Sequence, residues 1–412
     1  MSTNTFGRVF DACIVGAGPS GTAAAITLAK AGRSVIVVDK ATFPRDKCCG
    51  DGLTAGALRL LESLGLDPAK VSSWTTVDDV IVRSPSGRTV TFPMPPNAGA
   101  YSVVARRVDL DNALVALARA NGVTVVEDAL LTSCVPSSNG VIVNASGHVI
   151  EARFVIGADG MWSPLRKLLA PPTPNEPTYL GEWHAFRQYF TGVTGRAQHE
   201  MFVFFERDLL PGYFWSFPLG NGTANLGFGI VRDGDQSVQH MKNLWPEILA
   251  RPHISELLGP GVEAESPHKA WPIPARITAA VLSAAGGRAL FVGDAASATD
   301  PMTGEGIGQA LLTGTLAARA ILRGAAPVEV ANLYESSVHR HLSADHKLAA
   351  LLSGWLRKPL LARGSLRVAG LNSWTRRNFG RWLFEDYPRA MLFTPRRWHR
   401  KMFTGQGSYQ NR

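Results

Sequence analysis

The stretch from Asp11 to Asp39 constrains this chain more than any other. DACIVG is a short β-branched run ending at Gly16, as a buried strand does, and GAGPSG follows directly. TAAAITLAKAG then has the Ala and Leu content of a helix, with Gly32 where a C-cap belongs; SVIVV is a second buried strand running into Asp39. Strand, glycine loop, helix, strand and acid in this order give the G-x-G-x-x-G pattern its meaning. Gly16 permits the tight turn, Gly18 lets the backbone approach a pyrophosphate, and Gly21 allows close helix–strand packing. Pro19 and Ser20 open the helix, whose free N–H groups and positive dipole end suit phosphate. Asp39, followed by Lys40, is placed to accept hydrogen bonds from a ribose and would repel a 2′-phosphate. The loop is therefore predicted to hold FAD or NAD rather than NADP, and by itself it does not separate the first two.

The 412 residues suggest two or three structural units. A chain 45% hydrophobic and 18% charged can bury a real core and is not disordered, and its 41 Gly and 26 Pro follow no repeating period. Four cysteines (Cys13, Cys48, Cys49, Cys134) are too few and too irregular for a disulfide framework or a zinc site. His339, His341 and His346, with Asp345 and Lys347, read as a solvated helix face, so no metal is expected. MSTNTFGRVFD has no apolar h-region, and Gly, Pro and Ser interrupt the uncharged run from Ala12 to Ala29. The expectation is a cytoplasmic protein with reduced thiols.

Three further segments choose the cofactor. FVIGADG is a strand ending at Asp159–Gly160, with Ser163 and Arg166 opening a helix behind it. ARRVDLDNALVALARANG is an amphipathic helix entered after Arg107. RALFVGDAASATDPMTGEGIGQAL is a strand ending at Gly293–Asp294, then a loop, then a helix predicted to start near Gly304, with Gly306 and Ile307 among the candidate cofactor contacts of that stretch. Such a helix end favours negative charge on a nearby ring, as on a reduced flavin. Together and in this order the segments resemble the flavoproteins that include aromatic hydroxylases of the para-hydroxybenzoate type. That resemblance implies FAD, with Asp294 at the ribityl chain, Asp159–Gly160 at the pyrophosphate and Arg107 at the linker. A second dinucleotide fingerprint is missing, so the electron donor is expected to be a transient NAD(P)H or a ferredoxin-like protein.

FPRDKCCGDGL (Phe43 to Leu53) and LPGYFWSFPLG (Leu210 to Gly220) narrow the resemblance. With Arg45, Lys47, Cys49-Gly50-Asp51-Gly52, Tyr213-x-Trp215-x-Phe217-Pro218 and Pro301 before Gly304-Glu305-Gly306, the chain resembles the geranylgeranyl reductase family, including its actinobacterial menaquinone-reductase branch. The likeness covers about residues 9 to 325. It implies reduction of isoprenoid double bonds in a prenyl quinone or prenyl lipid. Cys48 departs from the usual single cysteine, and archaeal members often carry Gly where Asp51 stands, so their substrates are not carried over.

The residues allow a chemistry for this. Asn221-Gly222 between strand-like runs signals a type I′ hairpin, on which Tyr213, Trp215 and Phe217 share one face. An aromatic face packs cores, but Tyr213 and Trp215 also suit the wall of an apolar tunnel. Protonating an isolated alkene while flavin N5 delivers hydride needs a dry pocket and an acid. Cys49, Tyr213 or a water between them could serve, and Cys49 equally reads as a small buried filler. A flavin monooxygenase is the alternative; a halogenase or a prenyl-lipid carrier that keeps FAD structurally are more distant ones.

The fold class expected is α/β: a Rossmann-like FAD-binding domain of the para-hydroxybenzoate-hydroxylase type, with an inserted antiparallel β-sheet substrate domain and a C-terminal helical tail. The flavin domain is assigned to residues 8–71, 101–170 and 275–324, the sheet lobe to 72–100 and 171–274, and the tail to 325–412. From Leu351 to Arg412 there are thirteen Lys and Arg against Glu385 and Asp386, in a chain of net charge +9, so the body is near neutral and the tail basic. Arg363 to Phe384 mixes Trp and Leu with Arg at imperfect helical spacing. That pattern fits an interfacial helix on anionic lipid, peripheral on the inner face of the cell membrane, or else a helical cap with a solvated basic face. Nothing resembles a base-reading module, so nucleic acid is not an expected partner. The oligomeric state is left open.

Overall fold

The computed structural model describes residues 4–170, 179–232, 238–398 and 405–410. Of the features singled out above, the start of the sheet lobe at Pro171 and the tail cations Arg400, Lys401 and Arg412 lie outside the described residues.

The apolar runs of the first forty residues become the centre of a mostly parallel sheet. Its order is Ser283–Ala284, Ala289–Phe291, His148–Gly157, Asn4–Val15, Val35–Val38, Thr124–Val126, with the hairpin of Leu131–Pro136 and Val141–Ala145 carried on His148–Gly157. Val35–Val38 is buried at every position, which is why it reads as continuous rather than alternating hydrophobicity. The helix Pro19–Lys30 covers this sheet, and the helix Ile307–Arg323 crosses it so closely that a Cβ on Gly314 would lie 2.0 Å from the Ser20 carbonyl oxygen.

A second sheet runs Glu263–Ala264, Trp183–Thr191, Thr223–Val231, Tyr213–Gly220, Met201–Phe204, Asp79–Arg83, Thr89–Pro93. It is antiparallel except where Met201–Phe204 pairs in parallel with Asp79–Arg83, the seam between two segments remote in sequence. The hairpin turn forms as its residues require, with Asn221 at φ 51° and Gly222 at φ 67°. Trp215 pairs with Gly227, where a Cβ would fall 2.2 Å from the indole; glycine there lets the ring lie flat on the sheet.

Three expectations are corrected. The helix expected near Gly304 begins at Ile307, because the Glu305 carboxylate turns back to accept from Gly308 N at 2.7 Å and caps it. The single interfacial helix expected over Arg363 to Phe384 is two helices, Pro359–Ala369 and Ser373–Leu383. Asn372 breaks them with a capping box, its side chain accepting from Thr375 N at 2.9 Å while Thr375 Oγ1 accepts from Asn372 N at 3.0 Å. His346 is buried, not solvated: a wide π-turn at His339–Ser343 shifts the phase of the following helix, Ala344–Leu356, and rolls that side chain inward. Among the described residues no group of three His, Cys, Asp or Glu side chains is placed to hold a metal, and no helix is long and apolar enough to cross a membrane.

Candidate active site

A cavity of about 940 Å³ runs from the glycine loop, past the second sheet, to the helical tail. At one end Gly18, Pro19 and Ser20 present the start of the helix Pro19–Lys30 without any side-chain cap, so its first N–H groups remain available. Gly16 has φ 106°, and a Cβ there would strike the Ala158 carbonyl oxygen at 2.2 Å. Asp39 closes the loop by accepting from Ala17 N at 2.7 Å and Ala41 N at 2.9 Å, with Lys40 exposed beside it. Asp159 and Gly160 line the cavity too, but the Asp159 carboxylate is engaged by Ser163 Oγ at 2.6 Å and Leu165 N at 2.9 Å. Gly293 is buried behind the strand Ala289–Phe291, and Asp294 reaches the cavity half-buried.

The Arg45–Gly52 loop forms one flank. Arg107 donates to both oxygens of buried Asp111, at 2.8 and 2.7 Å, and Arg45 Nη1 sits 3.1 Å from the same carboxylate. One carboxylate thus fixes two guanidinium groups at the cavity edge. Asp51 is fully buried at φ 65°, and its Oδ2 accepts from Tyr189 Oη at 2.7 Å and Asn225 Nδ2 at 2.8 Å, while its Oδ1 has no hydrogen-bond partner among the described residues. Burial pushes the carboxyl up to about 6, against the pull of Tyr189 and the Arg187 guanidinium. Asn225 also donates to the Cys49 carbonyl at 2.9 Å and accepts from Trp215 Nε1 at 3.1 Å, so one amide joins loop, sheet and indole. Cys49 lines the cavity, its sulfur accepting from Asp51 N at 3.3 Å, and burial pushes its thiol up, so it stays protonated at neutral pH.

Tyr213, Trp215 and Phe217 form an aromatic wall beside this loop, with Tyr213 and Trp215 ring centroids 6.1 Å apart. Gly50 and Gly52 pack on Trp215 and Phe217. The loop Asp300–Gly306 hangs from this wall: Tyr213 Oη donates to the Thr303 carbonyl, and Trp183 Nε1 to the Pro301 carbonyl at 3.0 Å. Gly304, Gly306 and Ile307 line the cavity, while Pro301 is not among the residues that line it. The tail supplies the roof through Leu352, Leu356, Leu366, Phe379, Trp382 and Leu383. Arg381 and Arg389, counted above with the solvated basic residues, are instead buried in ion pairs with Asp386 and Asp300.

Arg187, Asp111, Asn225, Trp183 and the Asp300–Arg389 pair were not singled out in the sequence. A charged residue in the strand-like WHAFRQYF and an amide in TANLGFG were the available signals, because neither is placed in a buried strand without a partner.

The FAD-binding-domain family matches residues 9–345. A menaquinone reductase of Mycolicibacterium smegmatis is 32% identical over 368 residues, 83% of this chain and 84% of that protein. Digeranylgeranylglycerophospholipid reductase 1 of Methanococcoides burtonii is 28% identical over 340 residues, 79% of this chain and 78% of that protein. In fold, a geranylgeranyl bacteriochlorophyll reductase-like protein of Thermoplasma acidophilum superposes with a TM-score of 0.78 at 19% identity, covering 95% of this chain and 100% of that one. With the bare helix end, the glycine cradle and the acid at its rim, these likenesses settle the family: the chain is an FAD-dependent oxidoreductase of the FAD-binding-domain family, in the group that holds the menaquinone and digeranylgeranylglycerophospholipid reductases.

Proposed function

We propose that the protein saturates isoprenoid C=C bonds of a prenyl quinone or prenyl lipid. The observation that carries this reading is the continuity of the cavity, from the glycine loop to an aromatic wall and an apolar roof of the kind that suits a polyisoprenoid chain. The names of the relatives at 32% and 28% identity support the same substrate class.

The residues fit the cofactor. Gly16, Gly18, Pro19, Ser20 and Gly21 would take the pyrophosphate on the helix end, and Asp39 with Lys40 the adenosine ribose. Arg45 and Arg107, fixed by Asp111, would flank the linker; Gly50, Asp51, Asp159 and Gly160 would meet the cofactor largely through backbone, since both Asp159 oxygens and the Asp51 Oδ2 are engaged within the protein. Gly293, Asp294, Pro301, Gly304, Gly306 and Ile307 would shape the end near the ring. Reduced FAD, when bound there, supplies the hydride; the electron donor that reduces it is NAD(P)H or a ferredoxin-like protein.

The chain's own task is the proton and the dryness. Cys49 keeps its proton because burial disfavours the thiolate, and it lines the cavity on the loop that packs against the aromatic wall. Tyr213 holds its hydroxyl hydrogen on the Thr303 carbonyl, so it orients rather than donates unless a water relays from Cys49. The faces of Tyr213 and Trp215 stabilise the positive charge that develops on the protonated alkene, and the roof excludes the water that would trap it.

The roof also suggests how a membrane-borne substrate arrives. Leu360, Leu371, Trp374 and Phe393 project outward at 64–75% exposure, among Arg363, Arg367, Arg376 and Arg377. Exposed apolar tips in a basic field fit peripheral attachment to an anionic bilayer.

One experiment tests the reading. The dithionite-reduced holoprotein is incubated without oxygen with menaquinone in phosphatidylglycerol or phosphatidylcholine vesicles, and the products are weighed by mass spectrometry. The expected result, once air has reoxidised the quinone ring, is a gain of two hydrogens retained in the prenyl side chain, with flavin reoxidised before air is admitted, pelleting with the anionic vesicles only, and a fall of about 10²-fold or more in rate for Cys49→Ala. No anaerobic product, with an oxygen atom added when air and NAD(P)H are supplied, would replace the reductase by a monooxygenase.

A further inference from the structure

We propose that Arg389, contributed by the helical tail, is a positioning residue that holds the cavity-lining loop Asp300–Gly306 in the shape FAD requires. Arg389 lies beyond residue 345, where the match to the FAD-binding family ends, yet it is buried inside that domain's loop. Its Nε donates to Asp300 Oδ2 at 2.8 Å, its Nη2 to Thr303 Oγ1 at 3.1 Å, and the Glu385 carboxylate lies 3.5 Å from the same nitrogen. Asp300 in turn organises the loop from within, accepting from Met302 N at 2.9 Å, Thr303 N at 2.8 Å and Thr303 Oγ1 at 2.9 Å.

The loop is therefore gripped from two sides. The sheet holds its carbonyls through Trp183 and Tyr213, and the tail holds its side chains through Arg389. Arg389 is fixed in its own right: its carbonyl accepts from Trp382 Nε1 at 3.1 Å, and the next residue's N–H donates to Asp345 at 2.8 Å. Trp382 lines the cavity, so roof, loop and aromatic wall form one brace across the site. The charges agree with this allocation. Asp300, buried but paired with Arg389 and three loop donors, is held below the usual carboxylate range, while neighbouring His346 is held neutral by burial. Removing the guanidinium leaves a buried Asp300 charge with its three loop donors but no counter-charge from the tail, and an uncompensated buried charge is costly.

The inference rests on FAD, not on the prenyl reading, so FAD binding tests it whether or not an alkene is reduced. FAD affinity and amide hydrogen exchange of the apoprotein are compared for wild type, Arg389→Lys, Arg389→Met, Thr303→Val and Asp300→Asn with Arg389→Met. Arg389→Met is expected to raise the FAD Kd about tenfold or more and to speed exchange at Met302–Gly306 while Asn4–Val15 stays protected. Arg389→Lys is expected to recover most of the affinity, Thr303→Val to shift both readouts the same way by less, and the double variant to be no worse than Arg389→Met alone. Should Arg389→Met fail to fold, Arg389→Lys and Thr303→Val decide. If both bind FAD within about twofold of wild type with unchanged loop exchange, or if exchange rises equally in Asn4–Val15, the brace is mere stability and the proposal falls.

Discussion

Gly21→Val is expected to yield a chain that neither binds FAD nor keeps the stability of the wild type, whereas Gly18→Ala loses the first and keeps the second. A Cβ on Gly21 would lie 1.9 Å from the Gly16 carbonyl oxygen and 3.1 Å from the Ala158 Cβ. The first of these is backbone of a turn already held at φ 106°, so no side-chain rotation relieves it. The helix Pro19–Lys30 must move off the sheet, taking with it the contact at Gly314, and a cost of about 4 kcal/mol or more follows. Gly18 differs in kind. A Cβ there meets only the end of Arg45, at 3.6 Å, and the backbone at φ −73° suits any residue. The apoprotein should therefore melt within a degree or two of wild type, while the methyl group intrudes where a pyrophosphate must approach and weakens FAD by about 10²-fold. Calorimetry on both apoproteins, with FAD titrations, separates the cases. Unchanged FAD affinity in Gly18→Ala would remove the pyrophosphate from this loop.

What could be read from the sequence was local. The strand–loop–helix–strand unit and the Asn221-Gly222 hairpin rest on neighbours a few residues apart, where backbone preference and hydrophobic period act directly. The aromatic face of Tyr213, Trp215 and Phe217 follows from alternation alone. What stayed hidden were polar partnerships across the chain: Tyr189 with Asp51 at a separation of 138 residues, Asn225 with Cys49 at 176, Arg389 with Asp300 at 89. Residue type shows that Arg187 or Asn225 must have a partner, but only the topology says which. The tail was misjudged for a related reason. Its Arg residues look alike in sequence, yet Arg381 and Arg389 are buried counter-charges while Arg376 and Arg377 stay outside. A single helical wheel cannot tell them apart, because Asn372 restarts the helix and Arg389 lies in a turn beyond its end at Leu383.

The stability of the apoprotein should fall by about 2 kcal/mol between about pH 6.5 and 8, and Glu305→Gln should flatten that slope, although burial raises the neighbouring Glu385 in the same direction. Burial, with Glu385 and Asp300 as like-charged neighbours, pushes Glu305 up to about 8 from an ordinary 4.5. Between those values the native chain holds a proton that the unfolded chain has lost, so unfolding is favoured by about 1.4 kcal/mol for each pH unit gained. Asp51, pushed up to about 6, acts in the same direction but is spent below the window. The histidines His184, His253 and His346, all held below an ordinary 6.5, act oppositely and only where the unfolded chain still protonates them, below about 6.5. The lowered acids Asp300 and Asp46 matter only below an ordinary 3.8. Urea unfolding of wild type and variant across the window reads the difference; parallel slopes would place the proton elsewhere. The consequence reaches the site, because Glu305 caps the helix Ile307–Arg323. Protonated, it satisfies the Gly308 N–H without cancelling the positive end of the helix dipole, which would stay available to an anionic flavin bound against it. Ionised above about pH 8, the same carboxylate opposes that anion, so the stability slope and the flavin's preference for its reduced form should change together.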